Sequence, residues 1–298
     1  SNLHSFGPGA CFFDYDGDGR VDLFIPNGEA DLRGVLYRNA GGGRFVETTG
    51  KARLNVRGRG LGCTAGDYDN DGWTDLALVA GDVVRLFRNQ GDGTFRDVTE
   101  PAGIHTEPVV MGLTFVDYDH DGDLDLYVTR VFQFLPGAPP PRVAPANNVL
   151  WRNNGNGTFS DLTQATGLAG PGSSFGAVAT DFNNDRGMDL VVTSDGKGAP
   201  GIYINPREGR FQPIEPWAAP MPAPALGLAA FDFDKDGWMD LACTHGGGPG
   251  LTLWRNSEAK RVEPVPLPQL DWQRGWGLSA LDFDNDGWLD LAAVGETS

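Results

Sequence analysis

Five times in 298 residues, and a sixth time in degenerate form, the chain repeats one nine-residue arrangement, with acidic residues at positions 1, 3, 5 and 9 and glycine at position 6. The clearest copy is Asp67-Tyr68-Asp69-Asn70-Asp71-Gly72-Trp73-Thr74-Asp75. That spacing is the arithmetic of a calcium loop. Calcium takes about six to eight hard oxygen ligands at about 2.3–2.6 Å, and a tightly curled backbone brings alternate side chains onto it. In such a loop Asp67, Asp69 and Asp71 point inward and Gly72 allows the sharp turn. The backbone carbonyl at Trp73 adds a ligand, and Asp75 closes the shell from the start of the next segment. A metal-free loop is strained, because two carboxylates about 4 Å apart repel by about 4 kcal/mol at an effective dielectric near 20.

The same pattern predicts sites at Asp14, Asp16, Asp18 and Asp22 with the Arg20 carbonyl, and at Asp117, Asp119, Asp121 and Asp125 with Asp123. Two more follow at Asp232, Asp234, Asp236 and Asp240 with Trp238, and at Asp282, Asp284, Asp286 and Asp290 with Trp288. Loop four is degenerate. It reads Asp181, Asn183, Asp185 and Asp189, with Arg186 in the glycine position and Gly187 one place late, so it is expected to bind most weakly. An EF-hand or dockerin opens in a similar way, but both need flanking helices, and the EF-hand sets its bidentate acid at position 12. Here strand-patterned segments flank the loops and the acid comes at position 9.

Successive loops start 53, 50, 64, 51 and 50 residues apart, a period that means a propeller, a solenoid or an array. The net charge of −17 follows from the loops, whose positions 1, 3, 5 and 9 hold 23 of the 40 acidic residues. Six bound Ca²⁺ would bring the net charge to about −5. With no basic stripe, nucleic-acid binding is disfavoured. No apolar run approaches the length of a membrane span, and no charged and apolar leader opens the chain, so an exported protein would carry this as its mature or trimmed form. Of three cysteines, Cys11 and Cys63 precede loops one and two; a bridge between them is one reading and buried free thiols the blander one.

Each loop is preceded at five residues by a glycine: Gly9, Gly62, Gly112, Gly176, Gly227 and Gly277, where close backbone approach is expected. Each is followed by an alternating run such as Asp75-Leu76-Ala77-Leu78-Val79, which reads as a half-buried strand. A third strand ends on asparagine, as in Leu86-Phe87-Arg88-Asn89 and Leu150-Trp151-Arg152-Asn153, and a turn such as Gln90-Gly91-Asp92-Gly93-Thr94 leads into a fourth. Four antiparallel strands in 50 residues make a propeller blade. The fold class is therefore all-β, a β-propeller of about six four-stranded blades over residues 1–298. The last blade is expected to be incomplete, with a seventh blade if the chain belongs to a longer protein. Unit three carries an insertion, Phe132 to Pro141, whose prolines stiffen it and whose aromatics suit a contact face.

Loops, asparagine turns and period together resemble the FG-GAP/VCBS repeats of integrin α-subunit propellers and bacterial secreted proteins. The nearest resemblance is to repeats of the ASPIC/UnbV and cartilage acidic protein type. Phe175-Gly176 keeps the Phe-Gly pair of that family; other units place Leu61, Met111, Leu226 or Trp276 before the glycine. The resemblance implies Ca²⁺ loops at one end of the propeller, structural in role, and ligand-contacting loops at the other. It also implies a secreted, extracellular or periplasmic protein.

On that opposite face the expected cluster is Arg57, Arg59, His105, Arg130, Asp195, Lys197, Trp217, His245, Trp272, Arg274 and Trp276. Aromatics beside cations suit stacking on sugar rings or anchoring a protein partner. The bland reading is that Trp276 fills the space beside a structural glycine and the arginines are ordinary surface residues. The leading function is a binding module for a glycan or protein. An enzyme on a propeller scaffold, of the carbohydrate lyase, dehydratase or natural-product type, is the alternative, and a structural part of a larger secreted protein is a third. The four histidines are too scattered for a transition-metal site, and no nucleophile elbow, phosphate-cradling loop or Cys-x-x-Cys pair occurs. No catalytic residue is assigned.

Overall fold

The computed structural model describes residues 9–29, 31–135, 142–170, 172–195, 200–207 and 209–297. The chain forms two compact units, Ser1–Thr163 and Gln164–Ser298. The first holds three four-stranded antiparallel sheets; the second holds two more and a two-stranded sheet. Within each four-stranded blade the strands follow chain order, so the Asp loops and the asparagine turns share one end and the connection from second to third strand lies at the other.

Blade two shows the plan: Cys63–Gly66, Asp75–Ala80, Val83–Asn89 and Phe95–Asp97. Its second strand is buried at every residue, as are Asp125–Arg130, Asp189–Ser194 and Asp240–His245 in the next three blades. This corrects the half-buried reading. After the leading aspartate, Leu76-Ala77-Leu78-Val79-Ala80 has no polar side chain, and both of its faces meet a neighbour. Leu76, Leu78 and Ala80 pack with Phe13, Tyr15, Phe24 and Leu36 of blade one. Ala77 and Val79 pack with Leu126, Val128, Trp151 and Phe159 of blade three. A sheet covered on both faces reads as a continuous apolar run rather than an alternating one. In the second unit Phe182, Val191 and Ile202 of blade four meet Leu241, Cys243 and Trp254 of blade five in the same way.

The conserved spacing of glycine before each loop has a steric cause at three positions. A Cβ on Gly62 would lie 2.8 Å from the Met111 carbonyl, one on Gly227 2.4 Å from the Trp276 carbonyl, and one on Gly9 3.2 Å from that of Leu61. The residue before the glycine of one blade thus sets its carbonyl against the glycine of the blade before it. Gly277 has nothing within 4 Å, so the constraint does not extend to the sixth sheet.

That sixth sheet contains two described strands, Arg274–Leu281 and Asp290–Glu296. The insertion in blade three begins and ends as a two-stranded hairpin, Phe132–Leu135 against Arg142–Pro145, with Phe134 exposed and the Phe132 and Phe134 rings 5.6 Å apart. Its prolines at 136 and 139–141 lie outside the described residues. Cys11 and Cys63, on the first strands of blades one and two, form a disulfide, so the free-thiol reading of this pair is corrected. Adjacent first strands bring the two Cα atoms to 6.0 Å, within bridging range. Cys243 remains a buried free thiol, and burial pushes its pKa up to about 12.

Candidate metal centres

Position 2 of each loop starts the local geometry. Tyr15, Tyr68 and Tyr118 are buried, as is Phe182, so in loops one to four the second side chain turns into the core and the first and third turn out of it; Phe233 of loop five is half-buried and Phe283 of loop six is exposed. The Tyr68 ring sits 5.7 Å from Phe159, and Tyr15 stacks 6.2 Å from Phe95. With position 2 anchored, the position 1 carboxylate gathers main-chain N–H groups. Asp14 accepts from Gly17, Asp18 and Gly19 at 2.9, 3.2 and 2.7 Å, and Asp67 accepts from Asp71 and Gly72 at 3.1 and 2.8 Å.

The position 9 carboxylate is held just as firmly. Asp75 accepts the Asn89 N–H at 2.7 Å on one oxygen and the Tyr68 N–H at 3.1 Å on the other, and Asp22, Asp125, Asp189 and Asp240 repeat the pair. All five are fully buried. Burial dominates their chemistry: it pushes Asp75 and Asp125 up to about 7 and Asp189 and Asp240 up to about 6, although the two N–H donors pull the other way. A buried carboxylate lifted this far is one that a nearby cation would return to its charged form.

Whether the residues fit a calcium ion is decided at position 3. One oxygen of Asp16, of Asp69, of Asp119 and of Asp234 is buried without a hydrogen-bond partner, and one of Asp117 is too. An orphaned carboxylate oxygen in the interior is costly unless a cation meets it. In five loops three carboxylate oxygens lie within 4.8 Å of one another: Asp14, Asp16 and Asp18; Asp67, Asp69 and Asp71; Asp117, Asp119 and Asp125; Asp232, Asp234 and Asp240; Asp282, Asp284 and Asp290. Convergent hard oxygens with unsatisfied lone pairs suit Ca²⁺. Asp121, Asp236 and Asp286 use one oxygen to accept the N–H of position 7, which is Asp123, Trp238 and Trp288.

The opposite oxygen of position 3 belongs to an arginine that the sequence reading passed over. Arg88, directly before Asn89, spans Asp69 at 2.5 Å and Asp71 at 2.9 Å, and Arg152 spans Asp119 at 2.6 Å and Asp121 at 2.7 Å. Arg38 grips Asp16 and Asp18 alike, and Arg255 reaches Asp234 at 2.7 Å. The guanidinium takes Oδ2 of position 3 and leaves Oδ1 facing the loop. The signal lay in the recurring Arg-Asn pair: blade four, which carries Asn183 at position 3, has Ile204 in place of that arginine. There the Asn183 amide donates to Asp185 at 3.0 Å, Arg207 reaches the Asp185 carbonyl, and Arg186 holds φ at 69° where glycine would serve. Loop six has its carboxylates together but exposed, without a third-strand arginine or asparagine among the described residues.

The expected ligand-face residues are spread over both units. In the first, Arg57 and His105 are exposed. Arg59 is locked bidentately on Asp82 at 2.8 and 2.6 Å. Arg130 is buried, donating to the carbonyls of Asn147 and Pro108 at 3.3 and 3.2 Å; burial lowers its pKa from the usual value, with Glu107 opposing. In the second, Asp195 and Arg274 are exposed. Trp217 packs edge-on against Trp254, with centroids 5.4 Å apart. His245 is fully buried, 2.7 Å from the Thr252 hydroxyl, and burial holds its pKa below the ordinary value. Trp272 is half-buried against Gly250 and Gly295, and the Trp276 carbonyl accepts the Thr244 hydroxyl at 2.6 Å. Lys197 lies outside the described residues.

The FG-GAP-like repeat matches residues 14–78, 67–128, 143–192, 181–243 and 236–293. Cartilage acidic protein 1 of Mus musculus is 29% identical over 119 residues, 39% of this chain and 17% of that protein, so the match spans under a fifth of the relative's length. Among solved structures, an Agrocybe aegerita lectin described as recognising non-reducing terminal N-acetylglucosamine superposes with a TM-score of 0.61 at 15% identity, covering 96% of this chain and 74% of the lectin. BBS1N, in a complex with ARL6DN soaked with lead, gives a TM-score of 0.58 at 14% identity, covering 97% of this chain and 76% of that one. At these identities the likeness is one of fold: all-β, with the four-stranded blades of a β-propeller. No helix among the described residues is long and apolar enough to cross a membrane.

Proposed function

Because the chain belongs to the FG-GAP-like repeat family, whose repeat covers residues 14–128 and 143–293, we propose that it is a calcium-stabilised binding module working outside the cytoplasm, with a glycan or a protein as its ligand. The observation that carries the calcium half is the buried, unpartnered position 3 oxygen in loops one, two, three and five. Calcium bound there supplies charge neutralisation and pins the hairpin between first and second strands. The chain's own residues do the rest: the arginine orients two carboxylates, and the asparagine and position 2 N–H groups orient the fourth.

Two features support a place outside the cytoplasm. The Cys11–Cys63 disulfide suits an oxidising compartment, and extracellular calcium at about 10⁻³ M suits loops as open as these. The lectin with the same fold supports a glycan ligand, and the complex of BBS1N with ARL6DN supports a protein one. We assign binding, in each unit taken by itself, to the end of the blades away from the Asp loops, where Arg57 and His105 are exposed in the first unit and Arg274, two residues after Trp272, is exposed in the second.

A glycan array in millimolar calcium, run beside Arg274→Ala and His105→Ala, tests the reading. Specific binding that falls at least tenfold in one variant, with the melting temperature unchanged, is the expected result. Binding that both variants leave intact would overturn the assigned surface, and failure to bind any glycan or any protein from an extracellular fraction would overturn the binding role.

A further inference from the structure

Position 4 of a calcium loop points away from its own metal, and its side chain is not needed to hold one. In this protein it touches the next loop every time neighbouring loops fall within one unit. Within the first unit, the backbone of Gly17 lies against the Trp73 ring, where an added Cβ would come within 2.7 Å of it. Asn70 donates to the Gly122 carbonyl at 3.2 Å and to the Asp123 carboxylate at 2.8 Å. Within the second, Asn184 donates to the Gly237 carbonyl at 2.9 Å, and the Lys235 ammonium sits 3.7 Å from the centre of the Trp288 ring. In each pair position 4 of one loop meets position 6 or 7 of the next.

The backbone explains why position 4 reaches outward. Gly17, Asn70, Asn184 and Lys235 have φ of 71°, 56°, 56° and 60°, a left-handed conformation that glycine and asparagine adopt readily and lysine does not. The winding of the loop imposes it, and the same winding aims the side chain at the neighbour. The segment it meets, positions 6 and 7, is the one expected to supply a main-chain carbonyl to the neighbour's ion. Ordering one loop therefore places a hydrogen-bond donor, or a packing surface, on the turn that the next ion must order.

We infer that the position 4 residues are positioning residues for the neighbouring metal site, so that adjacent calcium loops within a unit load cooperatively. The inference rests on the reading that these loops hold calcium. An ion that fixes one loop fixes its position 4 contact, and the next ion then meets a turn already held. Such coupling is reciprocal: loop three favours loop two by the factor with which loop two favours loop three.

Asn70 allows a clean test, because Asn70→Gly removes the amide and keeps the left-handed backbone that Gly17 uses in loop one. Terbium stands in for calcium, and its luminescence, excited through tryptophan rather than tyrosine and sensitised by Trp73, reads loop two when Trp238→Phe and Trp288→Phe silence loops five and six and Asp16→Asn, present in every variant, disables loop one, whose Gly17 also lies against Trp73. The Asp119→Asn change disables loop three. With Asn70 present, Asp119→Asn is expected to weaken terbium at loop two about fivefold, the lower end of ordinary coupling. In the Asn70→Gly background the same change is expected to have no effect.

If Asp119→Asn leaves loop two unchanged in the Asn70 protein, or weakens it equally in both backgrounds, the coupling is overturned while calcium binding stands. A parent protein that gives no sensitised terbium signal overturns the calcium reading itself. The melting temperature of each variant without metal, measured alongside, separates a general loss of stability from loss of the contact.

Discussion

Stripped of calcium by a chelator at pH 8, the protein is expected to melt about 15–20 °C below its loaded form. At free calcium about 100-fold above its dissociation constant each site adds about 2.7 kcal/mol. Four loops, the first, second, third and fifth, carry the buried unpartnered oxygen, which makes about 11 kcal/mol. That is as large as the whole stability of an ordinary domain, about 5–15 kcal/mol. With an unfolding entropy of about 2.1 cal/mol/K per residue, or about 0.6 kcal/mol/K for the chain, the difference becomes a shift of this size.

The pH dependence fixes the sign. In the metal-free fold burial lifts Asp75 and Asp125 to about 7 and Asp189 and Asp240 to about 6, above their value in an unfolded chain. Protonation of these groups favours the fold. Their contribution is fully present below about pH 4 and is lost as the pH rises through 6 and 7. The metal-free protein should therefore melt higher at pH 5 than at pH 8. Protons compete with calcium for the same oxygens, so the loaded protein should lose its advantage over that range, and the two melting curves should converge near pH 5. Scanning calorimetry in calcium and in chelator at several pH values checks this, and a chelator effect that does not shrink with acid would count against burial as the cause.

The second large effect is expected at Asn89. Its side chain is fully buried and donates to the Tyr15 carbonyl of blade one at 2.8 Å and to the Thr74 carbonyl of its own loop at 3.0 Å, while its Oδ1 accepts the Gly91 N–H at 3.0 Å. One residue thus joins a turn, a metal loop and the preceding blade. Asn89→Ala leaves two carbonyls and an N–H without that partner, at about 1–3 kcal/mol for each group that stays buried, so a loss of about 3–5 kcal/mol is expected. Urea unfolding in saturating calcium measures it. Asn154→Ala, whose bonds to Thr158 and Ser160 are exposed, should cost less than about 0.5 kcal/mol. Equal losses at the two positions would show that the blade-to-blade bond carries no special weight. Asn153 and Asn256 repeat the geometry on the Tyr68 and Phe182 carbonyls, at 2.7 and 2.9 Å.

The convergence of the Asp loops was legible in the sequence because their carboxylates recur at fixed spacing within a few residues of chain. The blades were legible because their period recurs. What the sequence hid was contact between blades. The Arg-Asn pair of the third strand could be seen to repeat, but nothing in its spacing said that Arg88 would fork onto Asp69 and Asp71 or that Asn89 would cross to Tyr15. The disulfide could be offered only as one of two readings for the same reason, since 52 residues separate Cys11 from Cys63 and only adjacent first strands bring them together.

The expected ligand face shows a different limit. Arg130 and His245 read as connection residues, yet each is the last residue of a fully buried second strand, in the place that Ala80 and Ser194 occupy in blades two and four. Where a strand ends depends on what covers it. A polar residue at that end can be buried as soon as carbonyls such as those of Asn147 and Pro108, or a hydroxyl such as that of Thr252, lie within reach.

Calcium content after equilibrium dialysis, measured by elemental analysis against free calcium from micromolar to millimolar, tests the central claim most directly. Four ions are expected to bind first, at loops one, two, three and five, followed by the exposed loop six and last, if calcium is raised further, the degenerate loop four. Asp69→Asn should remove one ion from the first group. A folded protein that holds no calcium at millimolar concentration, and melts at the same temperature with and without it, would contradict the account.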